Sequence, residues 1–201
     1  MAEKQLGNIF LSASIPLENR NPKYFKSADI VAIRDSVIAL TTLVLPKFRL
    51  IWGGHPSITP LIRYVAEKNE FSLKEHVELY QSLFFRNQFP KDNSHIETIK
   101  YIESSGDIDG SIKLMRKNML EDKNFVAGIF IGGMEGVEIE YKMFQQLYPE
   151  AILLPIASTG AAAKIIYDKK FNLFANDRLM NDYGYMSLFQ DLLIDKVEKN
   201  A

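Results

Sequence analysis

The segment that most constrains the fold is an unbroken apolar run at residues 125–131, which reads Phe-Val-Ala-Gly-Ile-Phe-Ile. A strand that is apolar on both faces has to be covered on both faces, which is typical of a central strand in a parallel sheet. The run ends at Gly132-Gly133, and helical spacing of apolar residues follows over about 137–147. These residues therefore predict one strand–turn–helix unit of an α/β fold.

The same order of strand, small-residue turn and helix recurs along the chain. Further strands are predicted at residues 9–11, 49–52, 76–79 and 151–156, and helices at about 28–43, 57–66, 93–103, 109–120 and 185–199. Such alternation predicts a Rossmann-like, three-layer α/β fold with a mostly parallel central sheet. A length of 201 residues suits a single domain over 1–201.

Charge and composition exclude several classes of function. The 24 basic and 25 acidic residues nearly cancel, so no broad nucleic-acid-binding surface is indicated, although a few cations suffice for a small anion. The absence of cysteine excludes disulfides, zinc–thiolate sites and cysteine nucleophiles. Residues 1–8 lack an apolar signal core, and no apolar run approaches the ~18 residues of a membrane span. We expect a cytoplasmic protein that does not engage a membrane and carries no metal or cofactor.

Small residues follow four of the predicted strands, at Ser12 to Ser14, Gly53-Gly54, Gly132-Gly133 and Ser158-Thr159-Gly160. In a parallel α/β sheet these turns meet at the carboxyl ends of the strands, where ligands bind. Glycine allows close approach to a phosphate, and the next helix supplies free N–H groups and a positive dipole end. One such turn is explained by sterics alone, but four in one chain favour an anion site.

The most informative segment runs from Gly132 through Met134, Glu135 and Gly136 to Glu140. Glu138 and Glu140 are candidates to accept ribose hydroxyls or to act as an acid or base. The alternative is that acids in the first helical turns only complement the helix dipole.

Upstream, Arg116 and Lys117 are candidate phosphate cations, with a solvated helix face as the alternative. His55, directly after Gly54, is a candidate hydrogen-bond donor or proton carrier, or else a loop residue that caps the next helix. The aromatic residues at 84, 85 and 89 are interpreted mainly as packing, with a subunit interface as a further possibility. Scattered histidines argue for no metal site.

Taken together, Arg116-Lys117, the apolar strand, Gly132-Gly133 and a helical glutamate resemble the SLOG superfamily, which includes the lonely-guy phosphoribohydrolases and the Smf proteins. The lonely-guy pattern is an Arg-Lys pair, a strand and then Pro-Gly-Gly-x-Gly-Thr-x-x-Glu. Here Ile131 replaces the proline, one residue is inserted before Gly136, and Val137 replaces the threonine, while Glu140 matches the final glutamate. In that family the arginine and glutamate serve N-glycosidic cleavage of a nucleoside monophosphate. The altered loop makes Arg116 and Glu140 better candidates for binding than for catalysis.

A closer resemblance is to a prokaryotic SLOG branch related to the ligand-sensing region of TRPM channels. It is carried by residues 10–16, 53–61, 81–82, 131–138 and 157–160. The resemblance implies a sensor of a nucleotide derivative such as ADP-ribose or a cyclic relative, in bacterial antiviral defence. It also implies homo-oligomers and, as a possible partner, a TIR or other effector protein. The ligand-binding residues that it implies are Ser12, Ser14, Gly53, Gly54, His55, Arg116, Lys117, Gly132, Gly133, Met134, Glu135, Gly136, Glu138, Ser158, Thr159 and Gly160.

Three hypotheses follow. The first is a ligand sensor, and the second is a lonely-guy-like hydrolase in which Arg116 and Glu140 act on a nucleoside monophosphate. The third is a structural interaction domain whose aromatic loop forms the contact surface.

Overall fold

Within residues 6–121 and 123–200, which the computed structural model describes, six strands form one sheet. The strands are β1 (Asn8–Ser14), β2 (Arg49–Trp52), β3 (Val77–Ser82), β4 (Ile99–Ile102), β5 (Phe125–Gly132) and β6 (Ile152–Ile156). Their order is β4-β3-β2-β1-β5-β6, and every neighbouring pair is parallel. The predicted Rossmann-like α/β fold with a parallel central sheet is confirmed.

Helices connect the strands and cover both faces of the sheet. They are α1 (Pro22–Phe25), α2 (Ile30–Val44), α3 (Thr59–Lys68), α4 (Leu73–His76), α5 (Ile108–Leu120), α6 (Glu135–Leu147), α7 (Ala161–Lys169), α8 (Phe171–Phe174), α9 (Arg178–Asn181), α10 (Tyr185–Phe189) and α11 (Asp195–Asn200). Tighter 3₁₀ turns occupy Leu83–Gln88, Lys91–His95 and Ala157–Thr159, and a π-helical turn at Gln190–Ile194 joins α10 to α11.

The alternation of side chains along the strands divides the core into two layers. On β1, Ile9 and Leu11 pack with α2, α3 and α10, whereas Phe10 points to the layer that contains α5 and α6. All three side chains are buried, and each contributes on the order of 1.5–3 kcal/mol by leaving water. The continuous apolar pattern of the central strands therefore produces the three-layer architecture.

A glycine in β5 brings helix α6 close to the sheet. A Cβ built at Gly128 would lie 2.8 Å from Cε1 of Phe144, so only glycine leaves room for that ring. Phe144 also stacks on Phe10, with ring centroids 5.4 Å apart. This contact fixes the axis of α6 and hence the position of its N-terminus at the carboxyl edge of the sheet.

The direction in which successive strands are added to the sheet changes between β1 and β5. Strands β2, β3 and β4 are added on one side of β1, and β5 and β6 on the other. The connections from these two neighbouring strands leave to opposite sides, which opens a crevice at their carboxyl ends. The candidate site lies at this crevice.

One predicted element is wrong. The helix predicted over residues 93–103 is instead a 3₁₀ turn, Lys91–His95, followed by β4. β4 is an edge strand of four residues, and its Lys100 and Tyr101 are exposed. So short a segment does not show the alternation of a strand, and its apolar residues fit helical spacing equally well. In addition, α5 begins at Ile108, one residue earlier than predicted, because the side chain of Asp107 accepts from Gly110 N–H and caps its start.

Candidate functional site

A cleft of about 280 Å³ opens at the carboxyl edge, at the reversal point between β1 and β5. Its walls come from the ends of β1, β2 and β3, the start of α6, one face of α5 and the 3₁₀ segment after β3. The volume is near the lower end of the range of roughly 300–1,000 Å³ that is usual for small-molecule sites. The fold alone therefore places a small-molecule cleft where the sequence predicts an anion site.

The turn between β5 and α6 forms one side of this cleft. Gly132 and Gly133 have φ values of +54° and +81°, and a Cβ at Gly133 would lie 2.2 Å from Cγ2 of Val137. Gly133 N–H donates to the carbonyl of Ser14 at 2.8 Å, which joins the turn to β1. Among the described residues, no side chain forms a capping hydrogen bond at the start of the following helix, although Glu135 and Glu138 lie in its first turn. The positive end of the α6 dipole therefore faces the cleft without a protein anion in the capping position.

A partly buried ion pair lies beside this helix start. Arg116 Nε donates to Glu140 Oε1 at 2.9 Å, and Ser12 Oγ donates to Glu140 Oε2 at 2.5 Å. The side chains of Arg116 and Glu140 are only 14% and 16% exposed. Within residues 6–121 and 123–200, no acceptor bonds to the terminal nitrogens of Arg116. They thus remain available to an anion in the cleft.

A missing side chain at Gly136 makes room for that guanidinium. A Cβ built there would lie 2.9 Å from Nη2 of Arg116. Gly136 is in the first turn of α6, where alanine would be the better helix former. The glycine therefore serves the position of the arginine rather than the stability of the helix.

His55 lines the cleft at the end of β2 and is held as a neutral imidazole. Its Nδ1 accepts from the backbone N–H of Ser57 at 3.2 Å and lies 2.8 Å from the Ser57 hydroxyl. Burial and, to a smaller extent, the positive charge of Arg20 together lower the pKa of His55 from 6.5 to about 4. The ring proton is therefore on Nε2, which makes that nitrogen a hydrogen-bond donor near neutral pH.

Gln81 closes the floor of the cleft at the end of β3. Its Nε2 donates to the carbonyl of Gly54 at 2.9 Å. Gly54 has a φ of +67°, and a Cβ there would lie 1.6 Å from Nε2 of Gln81. The second glycine after β2 is therefore required by the packing of Gln81 as well as by its backbone conformation.

Most of the sequence-predicted site residues come together at the cleft. Ten of the predicted residues line it directly: Ser12, Ser14, Gly53, Gly54, His55, Arg116, Met134, Glu135, Gly136 and Glu140. Gly132 and Gly133 form the turn behind this lining.

Two predicted residues lie on helix α5 and helix α6 but face away from the cleft. Lys117 is 62% exposed and approaches Glu121 at 3.8 Å, because it follows Arg116 by about 100° of helical rotation. Glu138 accepts hydrogen bonds from Tyr24 and Lys169, both at 2.8 Å, on the opposite side of α6 from Glu140. Burial opposes ionisation of Glu138, but these two donors lower its pKa below the usual range. Both residues pair with neighbouring side chains outside the cleft.

The predicted residues of the β6 turn also lie outside the cleft lining. Thr159 Oγ1 accepts from Gly132 N–H at 2.9 Å and donates to the Ile156 carbonyl at 2.5 Å. The hydroxyl of Ser158 lies 3.1 Å from that of Tyr185. Protein groups already satisfy these polar atoms, so this turn braces the neighbouring β5 turn.

Sequence reasoning did not include several residues of the cleft wall. Arg20, in the loop after β1, is 59% exposed and approaches Glu135 at 3.7 Å. Phe85 and Phe89, interpreted mainly as packing, line the wall after β3. The position of Gln81-Ser82 at the end of a strand was the available signal for this wall. No comparable pattern marks Arg20, whose loop is placed by tertiary contacts.

The charged side chains around the cleft form two pairs of opposite sign. Arg20 and Arg116 are countered by Glu135 and Glu140, so these four side chains bring no net charge to the cleft. Among the described residues, no group of three His, Cys, Asp or Glu side chains is arranged to hold a metal. In the same part of the chain, no helix combines the length and apolar character needed to cross a membrane.

Comparison with known proteins relates this geometry to a family. The X-ray structure of TM1055, a structural genomics target, aligns with a TM-score of 0.55 and 13% identity over 81% of each chain, which shows a shared fold. A search of the curated proteins found no match. The model of the SLOG cluster3 family matches residues 23–193. The chain therefore belongs to the SLOG cluster3 family and is a nucleotide-related binding or processing domain.

Proposed function

We propose that this chain is a sensor domain that binds a nucleotide-derived small molecule, ADP-ribose or a cyclic relative, in the cleft at the β1–β5 reversal point. The observation that carries the proposal is the uncapped N-terminus of α6 beside the unengaged terminal nitrogens of Arg116. Backbone N–H groups and a guanidinium are the donors that proteins use for phosphate oxygens.

The end of β1 supports the same assignment, because it holds the groups beside it in place. Ser12 and Ser14 lie at the end of the strand beside this helix start and line the cleft. The Ser12 hydroxyl is already committed to Glu140, so it orients the carboxylate, while Ser14 supplies its carbonyl to the glycine turn. A phosphate at the start of α6 would then meet backbone donors and Arg116 on a scaffold that is fixed before binding. Such preorganisation lowers the entropic cost of binding.

The fixed carboxylate favours sensing over catalysis. Both oxygens of Glu140 already accept hydrogen bonds, one from Arg116 and one from Ser12. A carboxylate with both oxygens engaged is held in one orientation, which suits it to position its neighbours. In this role Glu140 positions Arg116 and can accept a ribose hydroxyl with a remaining lone pair.

Calorimetric titration with ADP-ribose, its cyclic isomers and AMP tests the proposal. We expect Arg116→Ala to weaken binding by about tenfold to 100-fold, because it removes a charged donor of hydrogen bonds. Lys117→Ala is the matched control, since it deletes the adjacent cation on the same helix but outside the cleft. Folded wild-type protein that binds none of these molecules would contradict the proposal.

The second candidate function is N-glycosidic cleavage of a nucleoside monophosphate. It is favoured by the contact between Arg116 and Glu140, the two positions that resemble the catalytic pair of the lonely-guy enzymes. Incubation with AMP, followed by chromatography, would detect free adenine. Under this hypothesis Glu140→Gln abolishes release, whereas Glu138→Gln, on the opposite side of α6, retains it. Absence of turnover by the wild type rejects the hydrolase.

We also propose that the domain works in the cytoplasm as a homo-oligomer in antiviral defence, with a TIR or other effector protein as its partner. Exposed apolar side chains on α2 and α10, such as Val31 and Met186, support a self-association surface. Native mass spectrometry of freshly purified protein tests the oligomer and reports any co-purified nucleotide. A monomeric mass at all concentrations would contradict self-association.

A further inference from the structure

We infer that the end of the cleft beside the segment after β3 is an aromatic subsite, which holds the base of the bound nucleotide by the faces of its ring. This inference rests on the proposed nucleotide binding and assigns the part of the ligand that lies away from α6. It is carried by the separation of apolar and charged side chains along the cleft. Such a subsite distinguishes a nucleotide from the sugar phosphate that lacks the base.

Two aromatic side chains form the wall of the cleft that follows β3. Phe85 and Phe89 both line the cleft and are only partly buried. Phe89 stacks on Tyr101 of β4, with ring centroids 5.8 Å apart. Phe85 meets Phe84 edge to face at 5.2 Å, and the hydroxyl of Ser82 accepts from the Phe84 N–H at 3.3 Å. Each ring of the wall is therefore packed against a second ring before a ligand arrives.

Helix α5 adds apolar side chains to the same cleft. Ile112 and Met115 lie about one turn apart on this helix, and both line the cleft. Met115 extends to the end of β2, because a Cβ built at Gly53 would lie 3.4 Å from its Cε. The next residue, Arg116, turns to Glu140 instead. α5 therefore brings both apolar surface and one cation to the cleft.

The proposed phosphate donors lie at the other end of the cleft, at the start of α6 after β5. In the sheet, the strands β3, β2, β1 and β5 are consecutive neighbours, so the ends of β3 and β5 are three strand spacings apart, about 14 Å. A nucleotide has a matching order of groups, with a phosphate at one end, the ribose between, and a flat base at the other. With its phosphate at α6, its base extends across β1 and β2 towards the aromatic wall.

Contact with the faces of a base is a source of affinity that does not depend on its hydrogen-bonding edge. Every base has a π-face, and removal of one aromatic side chain that stacks on it weakens binding by about tenfold or more. Ribose 5-phosphate carries the same sugar and phosphate as AMP but no ring. It therefore reaches the donors at α6 and leaves the aromatic wall without a partner.

Calorimetry with ADP-ribose, AMP and ribose 5-phosphate tests the inference. We expect the wild type to prefer AMP over ribose 5-phosphate by about tenfold or more, the effect of stacking one base. Phe89→Ala should weaken ADP-ribose and AMP by about tenfold and leave ribose 5-phosphate unchanged. Phe171→Ala is the matched control, since it removes a half-exposed ring on α8, outside the cleft lining, and should retain the full preference.

The outcomes separate this inference from the proposed function. Equal affinity of the wild type for AMP and ribose 5-phosphate overturns the aromatic subsite and leaves the anion site intact. A folded Phe89→Ala protein that binds ADP-ribose as the wild type does also overturns the subsite. Failure of all three ligands to bind the folded wild type overturns the proposed function itself and, with it, the subsite. If Phe89→Ala does not fold, as judged by circular dichroism, the comparison of AMP with ribose 5-phosphate on the wild type decides.

Discussion

Two turns at the same edge of the sheet share the order of strand, small residues and helix but differ in their hydrogen bonds. The β5 turn, residues 132–136, and the β6 turn, residues 157–160, both follow an apolar strand and precede a helix. At the β5 turn, α6 begins without a side-chain cap and Arg116 lies alongside with terminal nitrogens unengaged. At the β6 turn, Thr159 bonds to β5 and to its own strand. One turn therefore keeps unengaged donors beside the cleft, whereas the other uses its polar atoms to hold the first in place.

The difference comes from position in the sheet rather than from local sequence. β5 borders β1 at the reversal point, where the connections diverge and leave a crevice. β6 is an edge strand, and the loop before α2 packs against its turn, where Asp29 N–H donates to the Thr159 carbonyl at 3.2 Å. A glycine turn thus predicts a ligand site only when its neighbours leave the polar atoms free.

The largest expected effect is on stability, in the variant Gly160→Ala of the β6 turn. Gly160 has a φ of +72°, and a Cβ there would lie 1.7 Å from the carbonyl oxygen of Ser27. We expect the free energy of unfolding to fall by about 3 kcal/mol or more, because backbone strain and a backbone clash add. Chemical denaturation measures this change. A loss below about 1 kcal/mol would show that the β6 turn is not tightly packed.

The next effect is expected from Thr159→Val, which keeps the shape and removes the hydroxyl. Gly132 N–H then loses its buried acceptor, which costs about 1–3 kcal/mol. Thr42→Val is the control, since the Thr42 hydroxyl only donates to the helical carbonyl of Ile38. Equal losses in the two variants, measured by denaturation, would remove the assigned role of Thr159 as a brace.

In the β5 turn, Gly136→Ala should weaken ligand binding without lowering the stability of the protein. Alanine is the better helix former by about 0.5–1 kcal/mol, so stability should hold or rise. Its Cβ would displace the guanidinium of Arg116, so the affinity for ADP-ribose should fall by about tenfold through lost charged hydrogen bonds. Calorimetry and denaturation on the same preparation separate the two effects. Unchanged affinity would contradict the placement of Arg116 at the ligand.

The smallest effect concerns pH. The pKa of His55 is lowered to about 4 in the folded protein, whereas the unfolded chain binds this proton near pH 6.5. Below pH 6.5 the unfolded state therefore binds more protons, and stability falls until about pH 4. After allowance for partial solvent exposure, His55→Gln should remove about 1 kcal/mol of this loss at pH 5. Parallel unfolding curves for the two proteins between pH 7 and 4 would contradict a buried neutral histidine.

The sequence predicts secondary structure best where one continuous segment has a strong hydrophobic pattern. The run at residues 125–131 predicts β5 because apolar residues on both faces leave few alternatives, and the structure extends it by only one residue. β4 was missed because four residues at a half-exposed edge carry too little pattern. Local sequence therefore predicts the centre of the sheet better than its edge.

The candidate site also combines residues that a motif predicts with residues whose position depends on the tertiary structure. Arg116 and Glu140 are 24 residues apart, and their contact follows from family resemblance together with the fold. The orientation of Lys117 and Glu138 depends on the rotation of their helices against the sheet, which no short motif specifies. Gln81 was noticed only as part of a motif, because its meaning depends on the Gly54 carbonyl of a different strand. Long-range pairs of this kind require the tertiary structure.

We propose that the β5 turn, and not the β6 turn, receives the ligand. Backbone amide spectra recorded by NMR during titration with ADP-ribose test it most directly, because each turn reports through its own N–H groups. The account predicts the largest shifts at Gly133 to Gly136 and at Gly53 to His55, with little change at Ser158 to Gly160. Shifts centred on residues 158–160, with the β5 turn unaffected, would contradict it.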